Sequence, residues 1–234
     1  LRDHFKFEVP NAKFMPQYRG RNWNGEIHLY DMRSKQIYVG LLDKIVQFCE
    51  NYGYSYKFED NKFYGTPYEE NDGISMEGVK DYMNSICAHT PRKYQVEGVY
   101  GALKHNRKLL ISPTASGKSL MIYSLVRYYV DRGEKILLVV PTTSLVEQMY
   151  KDFLDYGWDA DSYCHRIYSG KEKNNNSAVT ITTWQSVYKL ERSFFEEYGV
   201  IIGDEAHLFK SKSLVQIMTK LHHAKYRFGF TGTL

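Results

Sequence analysis

The chain has 234 residues, 43% of them hydrophobic and 25% charged, and its 31 Lys and Arg against 27 Asp and Glu give a net charge of +4. These proportions are typical of a folded globular protein and exclude disordered and fibrous chains. They also argue against a membrane span, because no run approaches the ~20 apolar residues that a span needs, and residues 1–10 lack the apolar stretch of a signal peptide. We therefore expect a cytoplasmic protein with no membrane partner, and the length favours two domains.

The first 88 residues predict a small α+β domain in which strands and helices follow no fixed order. Alternating apolar and polar residues indicate strands, and apolar residues at helical spacing indicate helices. The predicted elements are strands over 5–9, 26–30 and 36–39, a helix over 41–52, a strand over 54–59 and a helix over 75–86. A turn at MRSK would join the second and third strands, and Gly53 would stop the first helix. AHTPRK, at 88–93, is interpreted as the boundary of this domain.

Residues 89–234 predict a second domain of α/β class, because continuous apolar strands alternate there with amphipathic helices. Such alternation specifies a parallel sheet with helices on both faces, and such sheets bind ligands at the carboxyl ends of their strands. The predicted strands are KLLIS, KILLVV, VTITT, VIIG and RFGFT, and the predicted helices cover 118–131, 143–155, 185–197 and 211–222.

SPTASGKS, at 112–119, lies between a predicted strand and a predicted helix. A P-loop needs backbone N–H groups at a helix N-terminus, a Lys for the outer phosphates and a hydroxyl for magnesium. Lys118 and Ser119 match the end of this pattern, whereas Ser112 replaces its first glycine. A turn of small residues is the alternative, and the strand before and helix after favour phosphate binding. The residues predicted to bind ATP here are Thr114, Ala115, Ser116, Gly117, Lys118 and Ser119.

DEAH, at 204–207, follows the apolar strand VIIG. Two carboxylates at the carboxyl end of a parallel strand would lie beside the P-loop, where Asp204 can hold magnesium and Glu205 can orient or deprotonate the attacking water. An Asp-Glu pair by itself is more often a helix N-terminal cap, and the upstream P-loop shifts the interpretation to catalysis. We therefore predict that Lys118, Asp204 and Glu205 are catalytic, with Ser119 and Asp204 holding the magnesium.

The motif order over residues 91–233 resembles the superfamily-two helicases of the DExH type, which implies a RecA-like fold. PRKYQ, at 91–95, resembles the motif ahead of the P-loop, and this resemblance implies that Gln95 reads the adenine and Arg92 supports the nucleotide. PTTSLVEQM at 141–149, TTWQS at 182–186 and TGT at 231–233 resemble later motifs of the series. Each of these is short, and capping hydroxyls at strand ends would explain TTWQS or TGT equally well if either stood alone.

The resemblance assigns further roles in this domain. It implies contacts to the sugar-phosphate backbone from Thr143, Ser144, Thr183 and Gln185. It implies coupling between the nucleotide and the nucleic acid through His207, Thr231 and Thr233. A complete motor of this type has a second motor domain, which nothing in the chain matches, so we expect this piece to bind nucleotide with little turnover.

Basic and aromatic residues interleave near the start of the chain, among them Arg19, Arg21, Trp23 and Arg33. This composition suits phosphate contacts with base stacking, and a solvated basic loop over a small core in which Trp23 packs is an equal alternative. GRNWNGEIHLYD ahead of a DExH motor also resembles the phage UvsW group of recombination and repair helicases. That resemblance implies that the partner is branched or partly single-stranded DNA, or an RNA–DNA hybrid, bound by a monomer inside a bacterial host.

The function predicted from all of these features is that of an ATP-dependent DNA helicase or translocase acting in recombination and repair. Two alternatives stay open at this point. One is a nucleic-acid-binding module switched by ATP. The other is the motor subunit of a restriction nuclease, which shares the motifs and would add a metal-dependent nuclease motif that is not visible in this sequence.

Overall fold

The computed structural model describes residues 1–58, 71–113, 115–168 and 176–232. These residues fall into two compact units, within Leu1–Pro67 and within Tyr68–Leu234. The division therefore lies before the predicted boundary at residue 88. The cause is helix α3 (Met76–Ile86), whose Val79 and Met83 are buried in the core of the second unit instead of belonging to the first.

The first unit consists of two short antiparallel strand pairs and two helices. They are β1 (Lys6–Glu8) with β2 (Glu26–His28), β3 (Tyr30–Asp31) with β4 (Gln36–Ile37), and the helices α1 (Pro16–Arg19) and α2 (Leu42–Tyr52). The predicted hairpin and helix are confirmed, and α2 ends at Gly53, whose φ of 69° lies in the left-handed region that favours glycine. The prediction of a strand over 54–59 was wrong for residues 54–58, since Tyr54 and Phe58 are exposed there and no strand forms.

The second unit is built on a six-stranded parallel sheet, as the sequence predicts. Its strand order is β5-β10-β9-β6-β8-β7. The strands are β5 (Arg107–Ile111), β6 (Ile136–Val140), β7 (Cys164–Ile167), β8 (Val179–Thr183), β9 (Val200–Gly203) and β10 (Tyr226–Thr231). Strand β7 is the one that the sequence analysis missed.

Helices connect these strands. They are α4 (Lys93–His105), α5 (Lys118–Val130), α6 (Thr143–Asp155), α7 (Ala160–Tyr163), α8 (Trp184–Val187), α9 (Arg192–Glu196) and α10 (Lys212–Lys220). The bounds of three of them, α5, α6 and α10, agree with the predictions. The helix predicted over 185–197 is instead α8 and α9. The Nζ atom of Lys220 donates to the carbonyl oxygens of Tyr188 and Leu190, at 2.8 and 2.6 Å. These hydrogen bonds prevent α8 and α9 from forming one continuous helix.

Strand β6 shows how the core is divided. All five of its residues are buried. Ile136, Leu138 and Val140 pack in the layer with α4, α5 and α6, whereas Leu137 and Val139 pack in the layer with α8, α9 and α10. Because successive side chains of a strand point to opposite faces, this division means that helices cover the sheet on both sides. The architecture is the predicted RecA-like α/β fold.

Candidate nucleotide-binding site

The P-loop lies between β5 and α5, at the carboxyl edge of the sheet. Helix α5 begins at Lys118, directly after Gly117, whose φ is 74°. A Cβ atom at position 117 would overlap Nε2 of Gln95, and the backbone conformation there favours glycine. Ala115 is also left-handed, with a φ of 63°. The predicted residue Thr114 lies outside the described residues.

Gln95 lies against this loop and is only 5% exposed. Its Nε2 atom donates to the carbonyl oxygen of Ser116 at 3.0 Å, and its Oε1 atom accepts from the backbone N–H of Arg92 at 2.8 Å. The hydroxyl of Tyr94 donates to the same Ser116 oxygen at 2.7 Å. The start of α4 therefore holds the P-loop in place, while adenine reading by Gln95 stays a prediction.

The two carboxylates of DEAH meet the P-loop lysine directly. Strand β9 ends at Gly203, and the backbone N–H of Asp204 still donates to Val139 of the neighbouring strand at 2.9 Å. Nζ of Lys118 lies 3.0 Å from Oδ1 of Asp204 and 2.8 Å from Oε1 of Glu205. Because β5 and β9 are parallel strands of one sheet, their carboxyl ends bring these motifs, 87 residues apart in sequence, into contact.

The ionisation of this cluster follows from its contacts. The hydrogen bond from Lys118 holds the pKa of Glu205 below its ordinary value, against an opposing effect of burial. Burial by itself would lower the pKa of Lys118, but hydrogen bonds to Glu205 and Asp204 outweigh it and raise that pKa. At neutral pH Lys118 and Glu205 are therefore both charged.

A cavity of about 450 Å³ opens beside this cluster, lined by the P-loop, the two carboxylates and one side of α6. A volume of this size is within the range of small-molecule sites. The hydroxyl of Ser119 and the carboxylate of Asp204 both line it and are hard oxygen ligands of the kind that magnesium prefers. The residues present thus fit a magnesium nucleotide.

His207 connects this cluster to strand β10. Its Nδ1 atom lies 3.0 Å from Oγ1 of Thr231 and 3.3 Å from Oε2 of Glu205. The backbone N–H of Gly232 donates to the Glu205 carboxylate as well. DEAH and the end of β10 therefore form one hydrogen-bonded unit, although the predicted coupling residue Thr233 lies outside the described residues.

The residues predicted to touch a nucleic-acid backbone follow the adjacent strands β6 and β8. Thr143 and Ser144 are exposed at the start of α6, and Gln185 is exposed in α8. Thr183 differs, since it is 4% exposed and its hydroxyl lies 2.9 Å from that of Ser186. The structure therefore presents Thr143, Ser144 and Gln185 at one edge of the sheet and buries Thr183.

In the first unit, three of the four predicted residues meet on one shallow depression, which we call the basic depression. It is lined by Lys13, Tyr18, Arg19, Arg21, Asn22, Trp23 and Asn24. Trp23 is half-buried, and its Nε1 donates to the carbonyl oxygen of Glu26 at 2.7 Å, so the indole also packs as the alternative interpretation expected. Arg33 does not line the depression and lies in the turn between β3 and β4.

Lys13, which belongs to the same basic and aromatic segment of the sequence, also lines the basic depression. One residue near the nucleotide site, Tyr156, was not predicted. The hydroxyl of Tyr156 lies 2.8 Å from Oγ of Ser119. No motif marks Tyr156, because it follows the last turn of α6 and reaches Ser119 only through tertiary packing.

Two family models match the chain. One, described as "Type III restriction enzyme, res subunit", covers residues 88–234. The other, described as "DNA helicase UvsW, N-terminal", covers residues 1–59. The models thus match the motor and the front of the chain separately.

The individual relatives include a DNA helicase and a DNA translocase. The chain is 33% identical over its whole length to the ATP-dependent DNA helicase uvsW of Enterobacteria phage T4, of which it covers 47%. It is 31% identical over 61% of its length to the DNA 3'-5' translocase XPB2 of Sulfurisphaera tokodaii, of which it covers 30%. The chain therefore spans less than half of each of these curated relatives. The crystal structure of the UvsW helicase from bacteriophage T4 matches with a TM-score of 0.81 at 33% identity, over 100% of this chain and 84% of that one.

Proposed function

Because this chain belongs to the UvsW family of ATP-dependent DNA helicases, we propose that the whole protein couples ATP hydrolysis to movement along DNA and to strand separation or branch migration. The observation that carries the proposal is the position of the Lys118 ammonium, 2.8 Å from Glu205 and 3.0 Å from Asp204. A lysine from a P-loop and two carboxylates from the end of another strand of the same sheet are the groups that phosphoryl transfer needs at one point.

Each of these residues has a proposed task in the reaction. Lys118 contacts the outer phosphates, which its flexible side chain can reach by leaving the carboxylates. Ser119 and Asp204 would hold magnesium, which would supply charge neutralisation for the phosphates. Glu205 orients the attacking water and accepts its proton, for which its charged state at neutral pH is suited. His207 contacts both Glu205 and Thr231, so these two residues transmit a change in the contacts of Glu205 to the end of β10.

The proposed substrate is DNA with branches or single-stranded regions, or an RNA–DNA hybrid, in the cytoplasm of a bacterial host. Two findings support this proposal. The front of the chain matches a UvsW N-terminal model, and the basic depression there combines cations with aromatic side chains. The restriction-subunit alternative is not favoured, since the full-length similarity, first unit included, is to a helicase.

The described helices include none that is both long and apolar enough to cross a membrane.

The test uses the whole protein and a forked DNA labelled on one strand. We expect strand displacement that requires ATP and magnesium. Lys118→Ala should abolish it and weaken MgATP binding about a hundredfold, because the outer phosphates lose the ammonium that would neutralise them. Lys151→Ala, which changes an exposed lysine of α6, is the matched control and should behave as the wild type.

Two outcomes would count against the proposal. Unchanged MgATP affinity in Lys118→Ala would contradict the assignment of the nucleotide site. Normal ATP-dependent binding of DNA without any strand displacement or movement would favour the ATP-switched binding module instead.

A further inference from the structure

The hydroxyl of Ser119 has one close partner that belongs to neither motif. Oγ of Ser119 lies 2.8 Å from the hydroxyl of Tyr156, which follows the last turn of α6. A serine hydroxyl has one hydrogen and two lone pairs, so a serine that gives a lone pair to a metal must direct its hydrogen elsewhere. An acceptor at hydrogen-bond distance fixes where that hydrogen points.

The ring of Tyr156 is held in place by its surroundings. Its centroid lies 5.1 Å from that of Tyr123, which is fully buried and donates its own hydroxyl to the carbonyl oxygen of Ile86 at 2.8 Å. The ring of His89 packs edge-on against that of Tyr156, with 5.9 Å between the two ring centroids. The Tyr156 hydroxyl is therefore a fixed partner and not a mobile one.

The two hydroxyls differ in their access to the nucleotide cavity. Among the described residues, those that line the cavity include Ser119 but not Tyr156. Ser119 therefore borders the space where a nucleotide fits, and Tyr156 does not.

We infer that Tyr156 is a positioning residue, which accepts the hydrogen of Ser119 and so turns a lone pair of that hydroxyl toward the metal of a bound nucleotide. The inference rests on the proposed function, since it assumes that Ser119 is a magnesium ligand. Tyr156 itself contacts neither metal nor nucleotide. Its effect is confined to the strengthening of nucleotide binding by magnesium.

The experiment measures the affinity of the protein for ADP by isothermal titration calorimetry, with magnesium and with EDTA. The ratio of the two affinities is the magnesium enhancement. Tyr156→Phe keeps the ring and removes only the hydroxyl. We expect it to lower the enhancement about two- to tenfold, the range of one hydrogen bond, and to leave the affinity in EDTA unchanged. Ser119→Ala should lower the enhancement further, and the double variant should match Ser119→Ala alone, because the pair acts through one hydroxyl.

Tyr198→Phe is the matched control. The Tyr198 hydroxyl lies 2.8 Å from Oγ1 of Thr180 in the opposite core layer, so this variant removes the same type of bond far from the P-loop. It should keep the wild-type enhancement. Circular dichroism verifies that each variant is folded.

The results separate the inference from its premise. An unchanged enhancement in Tyr156→Phe would overturn the inference and leave the proposed function standing, and so would an equal loss of both affinities. A wild-type protein that bound ADP equally well with and without magnesium, with Lys118→Ala no weaker, would overturn the proposed function itself.

Discussion

The two units of this chain differ in how much of their apolar surface they bury. In the described part of the first unit, the buried apolar side chains are Phe5 and Ala12, while aromatic residues such as Phe14 and Tyr38 are 61% and 72% exposed. In the second unit, two apolar layers enclose a sheet whose central strands are buried throughout. The first unit therefore has a small apolar core, and the second has a large one.

This difference matches the tasks that we propose for the two units. Catalysis needs groups held to within fractions of an ångström, which a packed core provides. Recognition of a nucleic acid needs exposed cations and aromatic faces, which a small unit with a thin core can present. A unit with a small buried core also opens at lower free energy than one with a large core. The predictions that follow test this division of roles.

The largest expected effect concerns Glu205, the carboxylate that we propose to be catalytic. Glu205→Gln in the whole protein should lower the ATP hydrolysis rate by about 10²–10⁴-fold, the usual contribution of a general base, while MgATP binding and DNA binding persist. A steady-state phosphate-release assay measures the rate. Glu196→Gln, at an exposed position of α9, should hydrolyse ATP normally. Normal turnover in Glu205→Gln would mean that another group activates the water.

The next effect compares the two cores. Phe153→Ala removes a fully buried ring of the second unit and should lower its free energy of unfolding by about 3–5 kcal/mol. Phe5→Ala, in the thin core of the first unit, should cost less, about 1–3 kcal/mol, and affect that unit alone. Hydrogen exchange followed by mass spectrometry resolves the two units. Phe7→Ala changes a ring that is already 46% exposed and should stay within about 0.5 kcal/mol of the wild type. Equal losses from Phe153→Ala and Phe5→Ala would contradict the comparison.

The smallest effect concerns the basic depression. Replacing Arg19 and Arg21 together by Ala should weaken forked-DNA binding roughly tenfold and reduce the salt slope of log affinity by about 2, one for each phosphate that an arginine no longer neutralises. Fluorescence anisotropy at several salt concentrations measures both. Lys44→Ala, on α2 and outside the depression, should leave both unchanged.

Arg33 is tested by itself, because it lies in the β3–β4 turn. Weaker binding of forked DNA by Arg33→Ala would indicate that the DNA-binding surface reaches beyond the basic depression. Wild-type binding by the Arg19 and Arg21 double variant would favour the solvated-loop interpretation and end the recognition role of this unit.

The parts of the fold that sequence predicts best are those governed by local pattern. The strands from β5 to β10, apart from β7, and the helices α5, α6 and α10 follow from apolar runs and helical spacing. The meeting of Lys118 with Glu205 was predictable too, because parallel strands deliver their carboxyl ends to one edge. The roles proposed for these residues stay predictions.

What sequence did not predict depends on contacts between distant residues. The break between α8 and α9 is held by Lys220, and the assignment of α3 to the second unit depends on where Val79 and Met83 pack. Helix α4 is not among the predicted helices, although Val96, Val99 and Leu103 recur on one face, because the proline before it indicates a domain boundary.

The position of Lys118 between two carboxylates has a consequence for selectivity. In this arrangement the protein supplies its own counter-ion, so part of the negative charge of the two carboxylates is already compensated. A nucleotide that draws the ammonium onto its phosphates leaves Asp204 and Glu205 in need of a replacement cation. A divalent ion that arrives with the nucleotide would replace the ammonium beside the carboxylates. Without that ion, the phosphates and the carboxylates would repel each other. We therefore expect the site to bind nucleotide without a metal ion more weakly than nucleotide with one.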